Sequence, residues 1–197
     1  YRMVPKISSS DAAKPSLSDG PFNIAVIGNR LDVELKDDFF RFLASLLPFN
    51  VRFIFIGEFA NYLDWCQKYA FLLQYAESKG FQSELTSALA GCHAFLNYPR
   101  VGGGHSALYA MRAGLPVLTL KHCDVYSVAG SGFDSYADIK QEILQLIASE
   151  DYLQQQSLQA LQKAAAIVEQ RSDINELVTM LSSNPLFNRP GFVNTDL

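Results

Sequence analysis

Residues 89–120 read LAGCHAFLNYPRVGGGHSALYAMRAGLPVLTL. Two short, mainly apolar runs, 93–97 (HAFLN) and 116–120 (PVLTL), enclose a glycine-rich turn and a helix-patterned segment over 106–113. Short apolar runs of this kind suit strands buried on both faces of a parallel sheet. Strand, helix and strand in succession make one βαβ unit, and its crossover is right-handed.

The same alternation extends upstream. Residues 22–28 (FNIAVIG) and 51–57 (VRFIFIG) are apolar runs closed by glycine. Between them, apolar residues at 35, 39, 43 and 46 keep the spacing of an amphipathic helix over 35–47. Residues 58–66 and 82–90 read as helices, and 69–73 as a short strand. From about residue 137 the pattern is helix only, over 138–149, 151–170 and 172–182, with Asp151 and Ser172 as N-caps. The expected fold is α/β: a Rossmann-like parallel sheet with helices on both faces and a C-terminal helical segment. Its bounds are 21–183. A Ser-, Asp-, Pro- and Gly-rich lead-in occupies 1–20, and a tail containing Pro185 and Pro190 occupies 184–197.

Composition narrows the function classes. The chain has 197 residues, 49% of them apolar, and a formal charge of −4. That is ample for one buried core and too apolar for a disordered chain. No apolar run reaches the roughly 18–20 residues of a membrane span. The mild acidity argues against a dedicated nucleic-acid binder. Cys66, Cys92 and Cys123 are odd in number and widely spaced, which disfavours both a disulfide scaffold and a zinc site. His93 and His122 beside two of them lack compact ligand spacing, so no metal is expected. A cytoplasmic setting is the natural expectation. The chain begins with Tyr1, which reads as part of a longer protein.

In an open parallel sheet, ligands bind outside the carboxyl ends of the strands. Two loops fall there: Gly28, Asn29 and Arg30 after the first strand, and Gly102, Gly103, Gly104, His105 and Ser106 before a helix. Successive glycines let main chain approach a ligand, and the helix start aims free N–H groups and a positive dipole at it. That is a cradle for an anion such as a diphosphate, although a plain tight turn also uses glycines. Neither a GxGxxG after the first strand nor a P-loop is present. Arg30 can meet a diphosphate through its planar fork and Lys36 as a point charge. Asp124 follows a strand end in the same zone, where a simple turn residue is an equal reading. Tyr62, Trp65 and Tyr69 sit at helical spacing and read as packing residues.

The stretch quoted first, together with AVIGNRL at 25–31, resembles the donor-binding segment of GT-B glycosyltransferases. The resemblance covers residues 22–182. It implies the C-terminal of two Rossmann-like domains, which holds a nucleoside diphosphate sugar, UDP-linked by preference, for transfer to an unknown acceptor. By the same resemblance, Asn29, Arg30, Lys36, Gly102, Gly103, Gly104, His105, Ser106 and Tyr109 contact the donor, with Phe81 and Gln82 near the base. The fold implies no cofactor or metal. It implies the protein's own N-terminal GT-B domain as a partner carrying catalytic residues, and allows peripheral membrane association through that other half. Tyr109 stands where many retaining members carry a ribose-binding glutamate, and Lys36 falls one residue late in the family's R-x-x-x-x-K spacing. A nucleotide-sugar 2-epimerase of the same fold and a non-catalytic transferase-like binding subunit are the alternatives.

Overall fold

Alternate side chains of β1 (Phe22–Ile27) part to opposite sides of the sheet. Phe22, Ile24 and Val26 join one buried cluster, and Ala25 and Ile27 join another. β2 (Val51–Ile56) divides the same way, sending Val51, Phe53 and Phe55 to the first cluster and Ile54 and Ile56 to the second. Burial on both faces explains why these runs are apolar apart from the half-buried Asn23 and the exposed Arg52, each at the second position of its strand. The computed structural model describes residues 20–183. The expected lead-in (save its last residue) and the expected tail over 184–197 lie outside them.

β3 (Ala76–Ser78), β4 (Ala94–Leu96) and β5 (Val117–Leu118) complete a sheet of order β3-β2-β1-β4-β5, with every pairing parallel. The chain builds outward from β1 to β3, then returns to lay β4 on the other side of β1. The order therefore reverses between β1 and β4, the switch point where doubly wound sheets open a crevice.

After β1 come a helical turn α1 (Leu31–Glu34) and α2 (Asp37–Ala44), followed by a 3-10 turn at Leu47–Phe49. Leu35, Phe39, Leu43 and Leu46, the expected apolar stripe, are all buried. Phe40 is buried too, stacked at 4.3 Å on Trp65 of α3 (Tyr62–Lys68) and at 5.2 Å on Tyr69. The aromatic trio at 62, 65 and 69 is thus packing, as its spacing suggested.

Several elements differ from the sequence reading: the helix expected over 35–47 is split into α2 and the 3-10 turn, the one expected over 58–66 starts only at Tyr62, and three further differences have a clear cause. The short strand expected at 69–73 is instead a helical turn, α4 (Leu72–Tyr75), and the strand follows it as β3. The Tyr62 hydroxyl donates to the carbonyls of Leu72 (3.1 Å) and Ala76 (3.3 Å), and Tyr69 is committed to its stack on Phe40, so pairing starts later, at Ala76 opposite Phe53. The helix expected over 82–90 shrinks to α5 (Leu85–Ala88), because residues 81–84 are exposed and offer no apolar face to bury. The two helices expected from 151 are one, α9 (Glu150–Ser183). No proline or glycine interrupts that span, and a serine or aspartate inside a helix costs only a few tenths of a kcal/mol. Ser172 is therefore interior. Asp151 sits in the first turn, while the hydroxyl of Ser149 accepts from the Tyr152 amide at 3.1 Å.

α6 (Gly104–Arg112) crosses from β4 to β5, and α7 (Val125–Ala129) follows β5. α8 (Tyr136–Ala148) starts with a capping box: Ser135 Oγ accepts from the Asp138 amide, and Asp138 returns a carboxylate to the Ser135 amide. Among the described residues, no helix is long and apolar enough to cross a membrane.

Two substitutions separate packing from capping. Phe40→Ala is expected to cost about 3–5 kcal/mol through the lost transfer free energy and residual cavity. Ser135→Ala is expected to cost about 1 kcal/mol through the lost cap. Urea denaturation with unchanged m-value reads both; equal losses would contradict this division.

Candidate functional site

The carboxyl ends of all five strands face one edge, so the loops after them share that edge. After β1 the main chain of Gly28 passes so close to its neighbours that a Cβ there would lie 2.0 Å from Tyr98 Oη and 3.0 Å from Arg100 Nη1. After β4 come Asn97 and Tyr98, both buried, then Arg100 and the glycine turn. Gly102 and Gly103 have φ of +83° and +89°, a region open to glycine. Gly103 is the N-cap of α6. Its own Cβ, if it had one, would lie 2.7 Å from Arg100 Nε and Nη2. Glycine is therefore required at 103 twice over, for conformation and for space.

A polar chain runs across this edge beneath the turn. Asn97 Nδ2 donates to Thr119 Oγ1 at 3.1 Å, and Asn97 Oδ1 accepts from Arg100 Nε at 3.3 Å. Arg100 Nη1 donates to Tyr98 Oη at 2.9 Å, and Tyr98 in turn donates to Glu34 Oε2 in a short hydrogen bond. Arg100 lies face-on to the Tyr98 ring, 4.6 Å from its centroid. Burial, reinforced by the Glu34 hydrogen bond against the opposing pull of Arg100, pushes the Tyr98 phenol above its ordinary value. It therefore stays protonated and donates. Sequence reasoning missed Glu34, Asn97, Tyr98 and Arg100. The available signal was Arg100 itself, a charge three residues before a glycine at a helix start.

Above this layer lies the cradle. No described residue accepts from the amides of Gly104, His105 and Ser106, the free donors expected of a helix start. The amide of Gly102 is taken, donating at 2.7 Å to Asp124 Oδ2. Asp124 is thus more than a turn residue: its carboxylate already sits on the turn as an internal anion. Gly102, Gly103, Gly104 and His105 line an open cavity of about 350 Å³ together with Leu108, with Ser127 and Val128 of α7, and with Ile167 of α9. That volume is at the lower end for small-molecule sites.

The remaining expected residues are spread around the same edge. Asn29 and Arg30 are exposed in the loop after β1, next to the β4 loop because their strands are neighbours. Lys36 is turned back on its own segment, Nζ donating to the Val33 carbonyl at 2.8 Å. Phe81 is 73% exposed in the loop after β3, and Gln82 folds onto the Lys79 carbonyl at 2.6 Å. Tyr109 is exposed on α6 beyond the first turn. His93 is stacked on Phe22 at 4.9 Å and accepts from the Asn23 amide, a packing role. All three cysteines are buried thiols, and burial pushes Cys92 up to about 11. Among the described residues, no cluster of His, Cys, Asp and Glu is placed to hold a metal.

Neither protein-family profiles nor curated proteins match the chain. Solved structures do. TarM of S. aureus superposes with a TM-score of 0.64 at 15% identity, over 88% of this chain and 38% of TarM. HepE of Anabaena, solved with UDP and glucose, gives 0.63 at 15% identity, over 86% of this chain and 49% of HepE. The chain therefore spans less than half of either protein. It matches 93% of the C-terminal domain of LpcC, a group 1 glycosyl transferase from Francisella tularensis, with a TM-score of 0.59 at 16% identity and 81% of this chain covered. Identity at this level speaks for architecture, and the architecture is that of the C-terminal domain of a GT-B glycosyltransferase.

Proposed function

We propose that this chain is the donor half of a glycosyltransferase, binding a nucleoside diphosphate sugar, UDP-linked by preference, with its diphosphate on the glycine turn. The observation that carries the reading is the set of unclaimed amides at Gly104, His105 and Ser106, at the positive end of α6 and beside the switch point. HepE, of the same fold, was solved with UDP and glucose, which supports the choice of ligand. In sugar transfer, negative charge grows on the departing diphosphate. Fixed amides aimed at that charge stabilise the transition state more than the ground state. Arg30, exposed and given no side-chain partner among the described residues, adds a mobile cation from the β1 loop. Phe81 offers a ring to the base. The acceptor and the residues that activate it belong to the proposed N-terminal domain.

Titration of the chain with UDP by calorimetry tests the reading. Micromolar to millimolar binding is expected, and no binding at millimolar UDP would overturn it. Arg30→Ala is expected to weaken UDP binding by ~1.5–3 kcal/mol, the range of a charge-assisted contact. An unchanged affinity would remove Arg30 from the site.

Asp124 has the opposite sign. Its carboxylate competes for the turn, so Asp124→Ala is expected to tighten pyrophosphate binding about two- to fivefold, the scale of an exposed charge pair. Isothermal titration of the variant against the parent chain reads this directly. Weaker binding would mean that Asp124 holds the turn in its binding shape.

A further inference from the structure

Arg100 is a buried guanidinium short of acceptors. Its side chain is 7% exposed, yet the nearest carboxylate oxygen, Glu34 Oε2, stands 3.7 Å from Nη1. That oxygen spends its short hydrogen bond on Tyr98. Nε has a long contact to a neutral amide oxygen, and Nη2 is buried with no partner at all. A buried arginine ordinarily meets an oxyanion through both arms of its fork. Here one arm is uncommitted, and it lies beneath the N-cap of α6, where a Cβ on Gly103 would be 2.7 Å away.

The position matters as much as the missing partner. Arg100 fills the gap between the end of β1 and the start of α6, walled by Gly28 on one side and Gly103 on the other. It therefore occupies the floor of the switch-point crevice. With that gap filled, the guanidinium lies directly under Gly103 at the start of α6. Asp124 on the Gly102 amide shows that the turn accepts a carboxylate from above.

We infer that Arg100 is the buried positioning cation of an oxyanion site at the N-terminus of α6, its charge held under Gly103 by Asn97, Tyr98 and Glu34 and acting on a phosphate group seated on the turn. This deepens the donor-site reading and names the charge that the glycine turn leaves unexplained. Glu34 is the counterweight. It orients Arg100 through Tyr98 and also cancels part of its field.

That opposition separates an electrostatic role from a structural one. The probe is inorganic pyrophosphate, followed through the backbone amide resonances of Gly102–Ser106 in the full 197-residue chain. The titration is repeated with UDP and with uridine. Arg100→Gln is expected to weaken pyrophosphate and UDP at least tenfold and to leave uridine unchanged. Arg100→Lys, which keeps the charge, recovers part of the loss. Glu34→Gln keeps an acceptor for Tyr98 but removes the opposing charge, so pyrophosphate binding is expected to tighten a fewfold even as the fold loses stability. A merely structural staple predicts the reverse, weaker or unchanged binding in Glu34→Gln. Arg52→Gln, which removes an exposed cation paired with Glu77, is the control and should change nothing. A folded Arg100→Gln with full pyrophosphate affinity overturns the inference, as does a parent chain that ignores pyrophosphate. Pyrophosphate binding without any response to UDP leaves Arg100 in its role and overturns the nucleotide reading instead.

Discussion

One guanidinium at the carboxyl edge of the sheet organises everything around it. Arg100 is held from three strands' worth of loop: Asn97 ties it toward Thr119 after β5, Tyr98 ties it toward Glu34 after β1, and its own loop continues into the glycine turn. Each of these partners is a buried or half-buried polar group, and each has its hydrogen bond. These bonds hold Nε and Nη1 in place and rigidify the edge, while Nη2 is left without a partner. The glycines at 28 and 103 follow from it, since any side chain at either place would displace the tyrosine hydroxyl or the arginine.

The sheet supplies the rigidity that the network needs. β1 is central, paired in parallel on both sides, and its two faces are sealed by separate apolar clusters. The ends of β1 and β2 are pinned closely enough that the Gly28 amide reaches the Ile56 carbonyl at 3.0 Å. A loop springing from such an end has little freedom. The switch point is thus a fixed frame, and the side chains left open to solvent around it are those of Asn29, Arg30, Val101 and Phe81.

The strands and the glycine turn were legible because their signals are local. A doubly buried strand must be apolar along most of its length, and a turn of positive-φ residues favours glycine, so FNIAVIG, broken only by Asn23, VRFIFIG, broken only by Arg52, and VGGG each announce themselves. The stripe at 35, 39, 43 and 46 was equally plain and is fully buried. What escaped is what depends on contacts distant in sequence. Nothing near residue 69 shows that Tyr62 will claim the carbonyls of Leu72 and Ala76 and delay the edge strand. Nothing near Glu34 shows a tyrosine 64 positions away donating to its carboxylate. The cations singled out from sequence, Arg30 and Lys36, sit where loops after β1 are exposed, and Lys36 spends its ammonium on its own main chain. The one that the fold buries, Arg100, lay two residues before the glycines and drew no separate reading.

The charge balance of the edge explains how a buried cation persists without a ligand. Two carboxylates flank it, Glu34 below through Tyr98 and Asp124 above on the Gly102 amide. Neither forms the bidentate pair that would hold the guanidinium permanently, since the closest approach is 3.7 Å. A close ion pair at that depth would have made a fixed strut, costly to open. The looser arrangement sets acidic groups around Arg100 while leaving one arm of the fork and three amides unspent. Those unspent donors lie within one turn of main chain, the arm of the fork under Gly103 and the amides on the three residues after it, and it is this grouping, more than the number of glycines, that suits the edge to an oxyanion.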